Sequence, residues 1–258
     1  MDSTFSLSAL LPEYHEITLP TNGNLYGEAI PAVIHVRGMT VRELKHLTAT
    51  GKLDKRVLDS TLSKCIKEPI KLSDLVIEDY NYIIYMIRLH SSGTSVTSGT
   101  VCSNPACSTP FKFTYHIDEC ADVKLAETPL DATKVVHLPR FDAQGLNVEV
   151  TVKRLTRADI IAVDDVIRRA ADLAAKTGTE LSVYPLTEFL KAYIVKVNGL
   201  PTPVPKDQLI DFFNSQESEL ISNAFSEEFG VSGKVDAKCP LCKTTTEFVI
   251  PFTDLFFL

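Results

Sequence analysis

Two cysteine pairs lie far apart in this chain, and any fold it adopts has to reckon with them. Cys102 and Cys107 bracket Ser-Asn-Pro-Ala, while Cys239 and Cys242 bracket Pro-Leu. Each pair sits on a short polar turn followed by β-favouring residues, Phe111–Ile117 after the first and Phe248–Phe252 after the second. C-x4-C and C-x2-C are both metal-ligand spacings. A turn of this kind points two thiolates at one spot, and two such turns complete a tetrahedral four-sulfur site, the geometry that zinc favours. Such a zinc would join residues near 100 to residues near 240 and act structurally, because a catalytic zinc keeps a position open for water. Two alternatives stand beside it: four reduced, unliganded cysteines, or disulfides. Disulfides are disfavoured because nothing else in the chain has a secreted character.

At 258 residues the chain can bury a substantial core as one large or two small domains. Hydrophobic residues at 45% and charged residues at 23% fit a soluble globular protein. The net charge of −7 argues against general nucleic-acid binding, which leaves a basic footprint. No apolar run is long enough to cross a bilayer, and Met-Asp-Ser-Thr-Phe-Ser lacks the positive end of a signal peptide. A reducing cytoplasm is therefore the expected place of synthesis. Cys65 and Cys120 are then expected as free thiols, with the acids at Asp118 and Glu119 raising the pKa of Cys120.

Along the chain, residues 1–31 read as an irregular arm with one short extended piece at Glu16–Pro20. Val33–Arg37 alternates as a strand, and Thr40-Val-Arg-Glu43 is a capping box opening a helix to about Thr48. A second helix is expected over Leu53–Lys67, and a third carries Tyr82, Ile83, Met86, Ile87 and His90 as core packing. Residues 118–145 read as a connector with a strand at Lys134–Leu138. Leu146–Lys153 alternates cleanly, and Thr156-Arg-Ala-Asp159 starts a helix that Gly178 closes. Further helices are expected over Leu186–Val197, Lys206–Asn214 and Glu217–Phe229.

The two halves of the chain echo one another. Val36-Arg-Gly-Met-Thr40 matches Val152-Lys-Arg-Leu-Thr156, and each half runs strand, helices, cysteine pair, strand. The fold class expected is α+β: a single intertwined unit of two related halves, each strand, helices and two-cysteine knuckle, joined by a shared four-cysteine zinc site. The expected division is an extended N-terminal arm at 1–31, a first half at 32–117, a connector at 118–145 and a second half at 146–258 with a helical insertion.

Catalytic signatures are missing. There is no Walker loop, no G-x-G-x-x-G after a strand, no G-x-S-x-G and no H-E-x-x-H. The six histidines do not gather with acids or cysteines; His116 lies closest to a knuckle. Asp164 with Arg168 and Asp165 with Arg169 are expected as i,i+4 ion pairs on a solvated helix face. The apolar ending Phe252-Thr-Asp-Leu-Phe-Phe-Leu258 and the apolar arm favour an assembly component, since exposed apolar patches mark contact sites.

Leu19-Pro-Thr-Asn-Gly-Asn-Leu-Tyr-Gly27 followed by Val36-Arg-Gly-Met-Thr-Val-Arg-Glu43 resembles the baseplate proteins of T4-like contractile-tailed phages. These are the small hub or hub-assembly subunits. The resemblance continues through Cys65-Ile66, the Tyr80–Leu89 helix and the first knuckle. It implies a non-enzymatic structural role in the tail baseplate, hub or inner wedge, and a location in the virion. Implied partners are other tail baseplate proteins, with self-association in a symmetric assembly and neither nucleic acid nor membrane insertion. An assembly chaperone absent from the mature particle and a zinc-ribbon nucleic-acid module are the alternatives.

Overall fold

Short alternating stretches form the first two strands, β1 (His15–Thr18) and β2 (Val33–Val36), paired antiparallel. The computed structural model describes residues 12–48, 55–127, 129–180, 183–200, 205–225 and 229–251. Of the expected arm, residues 1–11 lie outside the described residues. From Pro12 on it forms β1 and a loop whose Leu19 and Thr21 are fully buried. In that loop the Thr21 amide and hydroxyl donate to the Asp79 carboxylate at 3.0 and 2.6 Å, and the Tyr26 hydroxyl donates to it at 2.7 Å. Gly23 has φ +73°, and a Cβ there would press on the Ala32 backbone at 3.1 Å, so the turn requires glycine.

Helix α1 (Val41–Thr48) starts at the expected capping box: the Glu43 amide donates to the Thr40 hydroxyl at 3.3 Å and the Thr40 amide donates to Glu43 at 2.7 Å. The same carboxylate takes two bonds from the buried Arg37 guanidinium, at 2.8 and 3.1 Å. Gly38 lets this junction close, because a Cβ would fall 2.2 Å from the His90 carbonyl oxygen. Helix α2 (Lys55–Leu62) gives way to a 3-10 turn at Ser63–Cys65. It stops short of the Lys67 expected because Ile66 turns extended and bridges Val36; the expected start at Leu53 lies outside the described residues. Helix α3 (Ile77–Ser92) buries Tyr80, Tyr82, Ile83, Ile84, Tyr85 and Ile87, too many directions for a surface helix. His90 stacks on His15 at 3.9 Å.

Next come β3 (Ser95–Val101) and β4 (Pro110–His116), an antiparallel hairpin holding the first cysteine turn at its tip. Within 118–145, read from the sequence as a connector, the chain forms α4 (Ile117–Cys120), β5 (Ala121–Lys124), β6 (Thr133–His137) and a 3-10 turn at Pro139–Gln144. Strand β7 (Glu149–Lys153) is the cleanly alternating stretch, with Val150 and Val152 fully buried. Helix α5 (Arg157–Thr177) begins at a full Thr156–Asp159 capping box and ends at Gly178 in the left-handed conformation, as its sequence predicts. Helix α6 (Pro185–Tyr193) ends four residues before the expected Val197. The β-branched residues Ile194, Val195 and Val197 instead lie in β8 (Ile194–Asn198), which pairs with β7. Helices α7 (Lys206–Ile210) and α8 (Ser215–Ser222) follow, the second capped by Asn214 and Glu217. The expected continuation to Phe229 crosses residues 226–228, outside the described residues. The chain closes with β9 (Gly230–Lys238) and β10 (Thr245–Val249), a hairpin around the second cysteine turn.

The fold is mixed, with helices and small antiparallel sheets ordered β1-β2, β3-β4, β6-β7-β8 and β10-β9-β5. Where the sequence suggested one unit, the chain divides into two compact ones. The first comprises Met1–Lys71, Glu78–Glu127 and Phe229–Leu258, and the second Leu72–Ile77 and Thr128–Glu228. Pairing of β5 with β9 recruits the last hairpin to the first unit across more than a hundred residues of sequence. In the second unit, Val148, Val150 and Val152 meet Leu190, Ile194, Leu209, Ile221 and Phe225 in one apolar cluster. The β6–β7 loop reaches α8 there, Arg140 donating to the buried Glu217 at 2.9 Å. Among the described residues no helix is long and apolar enough to cross a membrane.

Two hydrogen-bonded carboxylates, Asp79 and Glu43, make testable claims. Thr21→Val leaves Asp79 short of its shortest hydrogen bond, and the expected cost is about 1–3 kcal/mol by urea unfolding, with unchanged helical signal. Glu43 is held at about 2, below its ordinary 4.5, chiefly by the Arg37 guanidinium. Its contribution is complete above pH 4.5 and drains away as pH falls toward 2. Urea midpoints of Glu43→Gln should therefore lie below the parent's at pH 7, by at most on the order of 3 kcal/mol in stability, and converge with them near pH 2.

Candidate metal centre

The four cysteines singled out by spacing come together. The Sγ atoms of Cys102, Cys107, Cys239 and Cys242 all lie within 4.8 Å of one another. Two approaches run between the knuckles, Cys102 to Cys242 at 3.4 Å and Cys107 to Cys239 at 3.9 Å. All four are free cysteines. Four sulfurs each about 2.3 Å from a central ion stand about 3.8 Å apart in a regular tetrahedron. The observed spacings straddle that value, so the quartet could hold a metal ion with small side-chain adjustments.

Each knuckle is built by the same local rules. The Cys102 amide donates to the Thr109 carbonyl at 3.0 Å, and the Cys239 amide donates to the Thr244 carbonyl at 3.0 Å. Between the second cysteine and that threonine sits one residue in the left-handed conformation, Ser108 with φ 43° and Lys243 with φ 63°. The threonine hydroxyls lie 3.4 Å from the Cys107 sulfur and 3.3 Å from the Cys242 sulfur. In the first knuckle Asn104 tightens the longer loop, its side chain accepting from the Ala106 amide at 3.0 Å and its carbonyl from the Cys107 amide at 2.9 Å. Thr109 and Thr244 are the participants that cysteine spacing alone overlooks. Their signal was present as Cys-x-Thr in both turns.

Side chains beyond the turns hold the two hairpins face to face. Phe113 meets Phe248 edge-on at 5.1 Å and stacks against Tyr115 at 5.6 Å. The Thr246 hydroxyl accepts from the Ser103 amide at 3.0 Å, crossing from one knuckle to the other. Cys239 is fully buried and Cys102 nearly so, whereas Cys242 is exposed.

The pKa of Cys242 is lowered to about 6, first by the Thr244 hydroxyl and then by the Thr244 backbone. At Cys102 the Asn104 backbone favours the thiolate, but loss of water and the three neighbouring sulfurs outweigh it and push the thiol up to about 12. Once one sulfur ionises, its neighbours resist, and a bound cation is what lets all four ionise together.

The remaining candidates fall elsewhere. His116 is exposed at the far end of β4, beside the Thr94 hydroxyl at 3.1 Å, and is not in the quartet. Cys65 is buried and pushed up to about 12 by desolvation. Cys120 is raised by burial and then by Glu119 and Asp118, in the direction its neighbours suggested. Asp165 pairs with Arg168, at i,i+3, with 2.7 Å between them.

The family model for the T4 bacteriophage base plate protein matches residues 11–258, essentially the whole chain. No curated protein and no solved structure matches it.

If the quartet holds a metal, Cys242→Ser is the informative variant, because this exposed side chain adds little to packing. Metal content measured by mass spectrometry should fall from about one ion per chain, and the melting temperature should drop sharply. Chelation should bring the parent down toward the variant. A variant that melts like the parent with zinc supplied would show that the sulfurs do not staple the fold.

Proposed function

We propose that this chain, which belongs to the T4 bacteriophage base plate protein family, is a non-enzymatic structural component of a contractile tail baseplate that bridges neighbouring tail proteins at the hub or inner wedge. The family match over essentially the whole chain is the observation that carries this reading. Zinc at Cys102, Cys107, Cys239 and Cys242 would stabilise it, since an all-sulfur tetrahedral donor set favours that ion and leaves no position for a reacting water. Other baseplate proteins are the partners, with self-association in a symmetric assembly, and the virion tail is the place of action after synthesis in the host cytoplasm.

Two related halves remain part of the proposal, with 1–31 as arm and 118–145 as the join between 32–117 and 146–258. Several correspondences support it. Thr40 with Glu43 and Thr156 with Asp159 form the same capping box, each carboxylate also paired with a cation six residues back, Arg37 or Lys153. The β1–β2 loop binds Asp79 in the first turn of α3, and the β6–β7 loop binds Glu217 in the first turn of α8. Each of those helices leads into a hairpin tipped by a cysteine knuckle with the same threonine and left-handed residue.

Mass spectrometry and cryo-electron microscopy of purified tails provide the test. A stoichiometric chain in the baseplate is the expected result. Recovery only from lysates and assembly intermediates, never from finished particles, would replace it with a chaperone role. Tight binding of a single-stranded oligonucleotide at the knuckles would favour the zinc-ribbon alternative.

A further inference from the structure

Charge is distributed very unevenly along this chain. Residues 37–71 contain nine Lys or Arg and four Asp or Glu, a net of +5, while the rest contains 17 and 29, a net of −12. An acidic protein with one basic stretch concentrates its attraction for anions in a single place. The fold gives that stretch a concave surface. Between α1 and the turn after α2 lies an open cleft of about 660 Å³, lined by Arg42, Lys45, His46 and Lys64. Arg42, Lys45, His46 and Lys64 are all exposed.

The carboxylate in the lining does not cancel them. Glu43 is committed to Arg37 at 2.8 Å and to the Thr40 amide at 2.7 Å, both part of the junction that starts α1. Arg37 in turn donates to the Lys64 carbonyl at 2.8 Å, which ties the two walls of the cleft together. The walls are therefore preorganised by a part-buried ion pair whose own charges balance.

We propose that the α1–α2 cleft is a docking site for a carboxylate-rich segment of a partner protein. Its volume suits a few side chains rather than a duplex. Among the described residues the lining holds no Phe, Tyr or Trp on which bases could stack. The surplus negative charge outside residues 37–71 repels an extended phosphate backbone but tolerates a short acidic peptide that ends within the cleft. The site is separate from the four cysteines and stands whether or not they hold metal.

Fluorescence anisotropy on the full-length protein tests this, with a labelled Glu-rich peptide of about twelve residues as probe and a labelled single strand of about twelve nucleotides as competitor. The peptide should bind at about 50 mM NaCl and weaken as salt rises. Arg42→Glu, Lys45→Glu and Lys64→Glu together should weaken it by about tenfold or more. The same change of charge at Lys112, Arg169 and Lys196 should leave affinity within about twofold, and both variants should keep the parent's circular dichroism and melting temperature. Equal loss in the two variants would reduce the effect to net charge and overturn the site. Tighter binding of the oligonucleotide than of the peptide would overturn the ligand class. Concentration-dependent self-association that disappears in the cleft variant would make a second copy of this chain the occupant instead of a foreign partner.

Discussion

Four sulfur atoms confined within 4.8 Å of one another are the constraint on which the first unit's closing hairpin depends. Thiols in that density cannot ionise independently: one is driven toward its thiolate while another is held protonated far above neutrality. On the proposed reading a divalent cation would resolve the conflict, and its binding energy would become folding energy. The four cysteines come from hairpins that sequence places far apart, so an ion bound by them would close a long loop. The β5–β9 ladder and the Phe113–Phe248 contact work in the same direction, joining those hairpins through backbone and aromatic packing. The sulfurs are thus one of several ties between the middle and the end of the chain, and one that responds to chemistry.

A second device recurs in both units. A carboxylate in the third position of a helix serves the helix and something outside it at once. Glu43 and Asp159 cap their helices while neutralising a cation six residues earlier, and Glu217 caps α8 while receiving Arg140 from a distant loop. Asp79 is the extreme case: fully buried, raised by desolvation, and offset by donors from Thr21 and Tyr26. This explains the Leu19–Gly27 segment that carries the resemblance to baseplate proteins. Leu19 fills the core, Thr21 and Tyr26 grip Asp79, and Gly23 allows the turn between them. The segment positions the fold around α3.

Legibility followed the range of the deciding interaction. The Thr156–Asp159 start and Gly178 stop of α5 could be read because capping chemistry is complete within four residues. Strand β7 could be read because one of its faces is buried and its alternation is strict. Strand β3, Ser-Val-Thr-Ser-Gly-Thr-Val, carries little apolar contrast and becomes a strand by pairing with β4. The end of α6 was misread because Ile194–Val197 suits either a helix face or a strand, and the neighbour that decides is β7. Strands β5 and β9 were passed over for the same reason: each is completed by the other, across the whole second unit.

The amino-acid sequence by itself determined the cysteine spacings, the capping boxes, the glycine turns and the family resemblance, all matters of residues within a few positions of one another. Tertiary structure alone decided that the two knuckles face each other, that the last hairpin joins the first unit, that Asp79 is the anchor of the Thr21 loop, and that the basic stretch lines a cleft. The physical reason is that local chemistry depends on backbone geometry the chain carries everywhere. Convergence of distant groups depends on which buried surfaces and strand edges find each other, and no short stretch contains that information.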